Sequence, residues 1–276
     1  MVVCQLHLVS LKPEVSVSCF LRTLRQGGVK PIFQARVLRW MILPKNISIG
    51  HLLARNIRWD LLLGLEADAI LPNHDETGIA AIWTVPCGVS ARALSDYGRL
   101  NASLLSQARG GAGVAEAITD LREPLPTGTS SSGEGSSQDL ELSTEWVQWM
   151  VGLPVPAREH PVSMLNLLAF APGKKEQYKQ YGTEFSQRVG SRHGGHVKLV
   201  GRVLDGCPAR DDGWDEIAYV HYPSIRHFAA LAASDDYQEV NKKYRLGALK
   251  DTFILCCQEV DDGGELAAAR AGSSKL

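Results

Sequence analysis

No apolar run in this chain approaches the roughly 20 residues that a helical bilayer crossing requires, so no membrane-spanning helix is expected. The 29 Lys and Arg are balanced by 30 Asp and Glu. Without a surplus of positive charge there is no electrostatic case for nucleic acid or an anionic membrane surface as partner. The cysteines at 4, 19, 87, 207, 256 and 257 show no CxxC spacing. A zinc cluster is therefore not expected, and buried reduced thiols in a cytoplasmic protein are. GxSxG, P-loop and dinucleotide fingerprints are missing as well, so no cofactor is called for. The apolar stretch "VVCQLHLVSL" (2–11) lacks a basic start and a small-residue cleavage site, and its alternation fits a strand better than a signal peptide.

What is present divides the chain. Residues 127–138, "TGTSSSGEGSSQ", are too polar to repay the entropy of ordering. They centre a flexible linker, 109–139, between a first body (1–108) and a second (161–260). A connecting segment, 140–160, carries a helix capped by Ser143 whose Trp146, Trp149 and Met150 pack across the two bodies. Residues 261–276 read as a disordered tail.

The second body reads strand "VSMLNLLAF" (162–170), then a helix with Tyr178, Tyr181, Phe185 and Val189 at helical spacing. Strands "HVKLVGRVL" (196–204) and "WDEIAYVHY" (214–222) follow, with "GCPARDDG" as the loop between them. Ser224 and Ser234 cap two helices, the second bearing Tyr237, Val240 and Tyr244, and "DTFILCCQEV" (251–260) ends the body. The order β-α-β-β-α-β is the ferredoxin-like pattern. The first body repeats it in degenerate form: strands at 2–10, 30–43, 57–65 and 79–89, helices at 15–28 and 90–105, and a loop, "EADAILPNHDETG", where one helix is expected. The fold class is thus α+β, a diverged tandem of ferredoxin-like units. Met164 and Leu168 share one face of their strand while Leu165 and Leu167 share the other, so both faces of the sheet need cover. Helices cover one face. The other meets a second sheet, from the first body or from another copy of the chain.

Few residues carry chemistry. Asn166 is polar in mid-strand, where it either bonds a neighbouring loop or lines a pocket. Tyr178, Tyr181, Tyr237 and Tyr244 fill core volume along two helices, and their hydroxyls could converge on a ligand. In "SRHGGH" (191–196) the glycines mark a helix-to-strand turn that needs positive φ. His193 either caps the helix or reaches a cavity mouth, where an imidazole of pKa about 6.5 is a natural proton shuttle. His193 and His196 straddle the turn with no third ligand nearby, so no metal site is assigned. His221 shares a strand face with Tyr219 and Ile217, either lining a pocket or buried in the sheet.

The segments "SMLNLLAFAPGKKEQYKQYG", "SRHGGHVKLVGRV" and "WDEIAYVHYPSIRHFAALAASDDYQEVNKKYRLGALKDTFIL" resemble the dimeric α+β barrel superfamily. More narrowly they resemble the domain-of-unknown-function family numbered 1330, in the form found in fungal proteins, whose usual "NLL" asparagine Asn166 matches. The resemblance implies two ferredoxin-like units packed sheet to sheet, with a cavity between sheet and helices. That architecture includes cofactor-independent monooxygenases, olivetolic acid cyclase, haem-degrading enzymes and stress-response proteins, so it leaves function open. The leading expectation is a cofactor-independent enzyme or binding protein for a hydrophobic, oxygenated small molecule. His193 and Asn166 would do the chemistry, and Tyr178, Tyr181, His221, Tyr237 and Tyr244 would hold the substrate. The alternatives are a non-catalytic dimerisation or stress-associated protein and a haem-binding barrel, acting as a pseudo-dimer within the chain or as a homodimer.

Overall fold

The computed structural model describes residues 1–72, 77–107 and 140–267. The 109–139 linker and residues 268–276 of the tail lie outside the described residues, as does part of the loop at 66–78. Strands β1 (Val2–Leu11), β2 (Phe33–Ile42), β3 (Leu61–Glu66) and β4 (Ile79–Val89) come from the first body. The second supplies β5 (Val162–Phe170), β6 (His196–Val203), β7 (Glu216–Tyr222) and β8 (Leu249–Glu259). They close a single antiparallel barrel within one chain, in the order β1-β3-β2-β8-β5-β7-β6-β4.

Closure explains why these strands are apolar on both faces. Leu165, Leu167, Phe253, Leu255, Ile217 and Tyr219 point into the barrel, where they meet Leu6, Leu8, Trp83 and Val85 of the first body. The interior is a packed core. Phe253 sits among Trp40, Trp214 and Trp83, with ring centroids 5.2, 5.4 and 6.0 Å away. Fully burying such a ring is worth roughly 1.5–3 kcal/mol over leaving it exposed. The adjacent cysteines divide as strand geometry requires, Cys257 inward and Cys256 outward.

Two seams join the bodies, one bulged and one short. At one, β2 meets β8 through bulges at Val37/Arg39 and Trp40/Ile42. At the other, β4 meets β6 over Cys87↔Val203, Gly88↔Arg202 and Val89↔Gly201. Gly201 is required by proximity rather than by its dihedral angles. A Cβ there would lie 2.7 Å from Val89 Cγ1 and 3.2 Å from Cys87 Sγ.

Helices cover the outside. In the first body α1 (Val17–Gln26), capped by Ser16, presses Phe20, Leu21 and Leu24 onto Val9, Leu61 and Leu63. A short α2 (Ile49–Leu52), which no sequence pattern announced, follows β2, and α3 (Ala91–Gln107) follows β4. The connecting helix α4 (Thr144–Gly152) has Ser143 as N-cap, accepting from the Trp146 amide at 3.2 Å. It packs Trp146 and Met150 among Met41 and Ile42 of the first body and Phe228 of the second. After it come α5 (Val155–Glu159) and, beyond β5, α6 (Lys175–Glu184). The α6 helix runs on through a π-helical turn, Phe185–Val189, into α7 (Gly190–Arg192). The expected loop at 206–213 contains α8 (Pro208–Asp212), with Pro208 in its first turn. Finally α9 (Ile225–Ala233) and α10 (Asp235–Val240) precede a second π turn, Asn241–Arg245.

Two expected caps differ in detail. Ser224 and Ser234 occupy N-cap positions, but neither side chain accepts a helix amide. Ser224 Oγ instead meets His227 Nδ1 at 2.9 Å, and Ser234 Oγ donates to the Leu231 carbonyl at 2.8 Å. The start of the expected loose tail is ordered too: Val260 and Leu266 form a bridge, and Asp261 N–H donates to Glu265 O at 2.7 Å.

Candidate functional site

A cavity of about 560 Å³ opens between the outer face of the second body's sheet and the helical segments from α6 onward. Its floor is Met164 and Asn166 of β5, Glu216, Ala218, Val220 and Tyr222 of β7, Val197 and Val200 of β6, and Ile254 of β8. On β5 and β7 these residues share a face because alternate strand residues point the same way, and on β6 the bulge between Val197 and Leu199 brings Val197 and Val200 to it. Its wall includes Tyr178, Tyr181 and Phe185, with Phe228 and Arg245 also contributing. Lys179, Thr183, Ser186 and Gln187 are exposed and face Val200, 45% exposed, so the mouth lies between helix and β6. Both π turns border the cavity, one through Phe185 and the other through Arg245. Single π turns within helices occur often at functional sites.

Asn166 is held in one orientation. Its Nδ2 donates to Met164 O at 3.0 Å and to Ala218 O at 3.2 Å. Two carbonyls can only be met by the amide's nitrogen, so these bonds leave Oδ1 as an acceptor. Asn166 thus bonds carbonyls of β5 and β7 rather than a neighbouring loop, and it lines the cavity.

The aromatic wall is continuous. Phe170 and Tyr178 have centroids 5.3 Å apart, Tyr178 and Tyr181 5.2 Å, and Tyr181 and Phe185 6.1 Å. Tyr181 and Tyr237 hydroxyls meet at 3.2 Å, although Tyr237 itself is fully buried behind the wall. Burial pushes the Tyr178, Tyr181, Tyr222 and Tyr237 phenols up, opposed in each case by the Arg245 guanidinium. Arg245 is 2% exposed, and Asn241 Oδ1 accepts from its Nη1 at 3.4 Å. Glu216 lies 3.5 Å from Lys175 Nζ, and burial raises its carboxyl despite that partner.

The residues named from sequence are thus brought together only in part. Asn166, Tyr178 and Tyr181 line the cavity. Tyr237 touches it through Tyr181, and Tyr244 packs outside it, beneath Lys243 Nζ at 5.0 Å from its ring centre. His221 sits on the opposite face of β7, opposite His196 of β6 and Ser163 of β5. His193 is not among the residues that wall the cavity; its Nε2 lies 3.6 Å from Asp236 Oδ1. The "SRHGGH" turn divides its two glycines by function. Gly194 has φ +74°, while Gly195 is needed for space, since a Cβ there would lie 2.9 Å from the Phe185 ring. Among the described residues no group of three or more His, Cys, Asp or Glu could hold a metal ion.

Glu216, Lys175 and Arg245 were not singled out from the sequence. Glu216 was within reach, because it alternates with Ala218, Val220 and Tyr222 along one strand face. Arg245 was not. The extra residue per turn of the π segment brings Arg245, rather than Tyr244, to the buried side.

A second polar cluster closes the end of the barrel beneath α3. A bulge between Val197 and Leu199 turns Lys198 inward, 3% exposed. Its ammonium bonds the Glu259 carboxylate and Asn101 Oδ1, the latter at 2.9 Å, and lies 4.8 Å from the centre of the Tyr219 ring. Tyr97 donates to Glu259 at 2.9 Å, and Asn101 Nδ2 donates to its other oxygen.

No protein-family model matches the chain, and no curated protein matches it. Its second-body likeness to the family numbered 1330 therefore stays a resemblance. Among solved structures, it is similar to a protein of unknown function from Rhodopseudomonas palustris, solved twice. These are 27% identical with TM-score 0.35, covering 42% of this chain and 91% and 93% of the other. It is also similar to a candidate monooxygenase from Lactobacillus acidophilus, 7% identical with TM-score 0.43 and 96% of each chain covered. A candidate monooxygenase from Fusobacterium nucleatum gives the same identity and TM-score over 96% of this chain and 97% of that one. The class the chain's own architecture defines is an α+β protein built on a closed eight-stranded antiparallel barrel. No described helix is long and apolar enough to cross a membrane.

Proposed function

We propose that this protein binds a hydrophobic, oxygenated small molecule on the outside of its barrel, in the cavity between the second body's sheet and helices. We further propose that the chain is a tandem of ferredoxin-like units of the dimeric α+β barrel kind. The strand orders β4-β1-β3-β2 and β8-β5-β7-β6 within the single barrel support that reading.

One observation carries the functional reading. A cavity of about 560 Å³ is walled by aromatic rings yet has on its floor a polar side chain, Asn166, held by two hydrogen bonds. Pockets for small ligands are mostly apolar with a few placed polar groups, within this size range. The barrel interior is filled by side chains and is the fold's core. If turnover occurs, the groups placed to move a proton are Glu216 and the cavity tyrosines, and His193 is left to a structural role beside Asp236.

The test is a thermal-shift screen of the purified protein against aromatic polyketides, fatty acids and haem, repeated with Asn166→Ser. A ligand of the native state raises the midpoint by mass action. The expected result is stabilisation by a hydroxylated aromatic compound that Asn166→Ser weakens. Absence of any shift across the panel overturns the reading.

A further inference from the structure

We infer that Glu216 is the proton-abstracting base of this cavity and that its substrate is an aromatic ketone with an acidic C–H beside the carbonyl. This rests on the small-molecule reading above and gives it a reaction.

Elimination singles out the base. Among the described residues lining the cavity, Glu216 is the single carboxylate, and no histidine or cysteine joins it. Lys175, Lys179 and Arg245 carry protons to give, not sites to take them. Burial pushes the Tyr178 and Tyr181 phenols up, so both stay protonated and serve as donors. Acyl transfer lacks a nucleophile here. The hydroxyls of Thr183 and Ser186 lie at the mouth, and Thr183 Oγ1 donates to the Lys179 carbonyl at 3.1 Å.

The neighbourhood of Glu216 suits a carbon acid. Glu216 opens β7 opposite Leu168 of β5, and it lies diagonal to Asn166, which pairs with Ala218. Diagonal cross-strand neighbours are close enough to touch one bound molecule. Arg202 of β6 stands opposite Glu216 on its other side but bonds Asp205 at 2.8 Å. Lys175 Nζ lies 3.5 Å from the Glu216 carboxylate and 5.4 Å from the centre of the Phe170 ring. Tyr178, stacked near Phe170, is raised first by burial, and the Glu216 charge adds to that. Base, ammonium and phenol therefore stand at one end of an aromatic-walled cavity. Burial also raises the Glu216 carboxyl, opposed by Lys175 and then Lys179, while Asp215 of the same strand adds to the rise. A stronger base that remains ionised at neutral pH is what proton abstraction from carbon requires.

The step balances with no co-reactant. Glu216 takes the proton from the carbon beside the carbonyl. The C–H electron pair becomes the C=C bond of an enolate, and the carbonyl π pair moves onto oxygen. The Lys175 ammonium and the Tyr178 hydroxyl are the donors on this side for that oxygen. Glu216 then returns the proton to the same carbon, or to a conjugated one to give an isomer.

The experiment uses 1-(2-naphthyl)propan-2-one with the intact protein in D₂O. Naphthalene fluorescence measures binding, and proton NMR follows exchange of the CH₂ between ring and carbonyl. Exchange of the bound ketone is expected to run about 10²-fold or more faster than in buffer. Its rate should rise with pH through a midpoint above the ordinary carboxyl value of 4.5, because the base must be ionised. Glu216→Gln should abolish the enhancement while the ketone still binds, and Glu216→Asp should keep part of it. Lys175→Met removes the opposing cation and should move the midpoint upward. If Glu216→Gln does not fold, that midpoint decides, since a base elsewhere would leave it in place. Undiminished exchange in a Glu216→Gln protein that binds the ketone overturns the assignment. Binding without exchange in the unaltered protein overturns the activity and leaves the cavity as a ligand site. Binding of other screened compounds but not of the ketone overturns the substrate class and the proposal with it. Binding by neither overturns the small-molecule reading itself.

Discussion

Lys198 and Glu259 form an ion pair inside the end of the barrel, 3% and 7% exposed, with Tyr97 and Asn101 bonding the same carboxylate. Burial pulls the lysine's pKa down, and the charge and hydrogen bond of Glu259 oppose that pull. Lys198→Met leaves Glu259 buried without its cation, a loss that costs about 3–5 kcal/mol in comparable pairs. Glu259→Gln on top of Lys198→Met should recover most of that loss. Urea melts of the two single variants and the double variant measure the coupling; additive losses would contradict it.

Acid should destabilise the fold through two histidines before the carboxylates matter. Burial lowers His7 from its ordinary 6.5 to about 4. Burial, then the nearby Lys198, lowers His221 to about 2. Between the folded and unfolded values the unfolded chain binds more protons, so stability is complete above about pH 6.5 and falls as pH drops through that window. His7 alone accounts for about 3 kcal/mol once pH reaches 4. Unfolding free energies from pH 7 to 4 should fall steadily, and His7→Gln should flatten part of that slope. A profile unchanged by the substitution would remove His7 from this role.

The seam between β4 and β6 should be intolerant of a single methyl group. Gly201→Ala places a Cβ 2.7 Å from Val89 Cγ1 in a short three-pair ladder. Overpacking of this kind typically costs about 1–3 kcal/mol. The expected result is a lowered melting midpoint that Gly201→Ala with Val89→Ala partly restores, read by thermal denaturation.

Thiol chemistry should distinguish one cysteine from five. Cys19 is exposed on α1, whereas Cys4, Cys87, Cys207, Cys256 and Cys257 are buried. Burial also pushes the Cys256 and Cys257 thiols up, away from the reactive thiolate. An aromatic disulfide reagent should therefore titrate a single fast thiol in the native protein and all six in denaturant. Cys19→Ser should abolish the fast phase.

Much of the second body is legible in its sequence. Strand β5 matches its expected bounds, Val162–Phe170, because an apolar run closed by a Pro-Gly turn leaves little choice. The demand for cover on both sheet faces also followed from Leu165 and Leu167 opposing Met164. The candidate site was less legible. Asn166 stood out because a lone amide among aliphatic residues has to be explained. His193 stood out for the same reason of composition, yet it faces Asp236, because direction around a helix end depends on how the next helix packs.

Residue periodicity by itself determined the strands, most helices and the need for a second sheet, since those depend on neighbours a few positions away. Tertiary structure alone decided that the second sheet comes from the same chain, through seams made by β2 with β8 and β4 with β6. It also decided which polar residues meet. The bulge at Lys198 and the π turn ending at Arg245 each shift a side chain by one position, and such shifts are set by long-range packing rather than by local pattern.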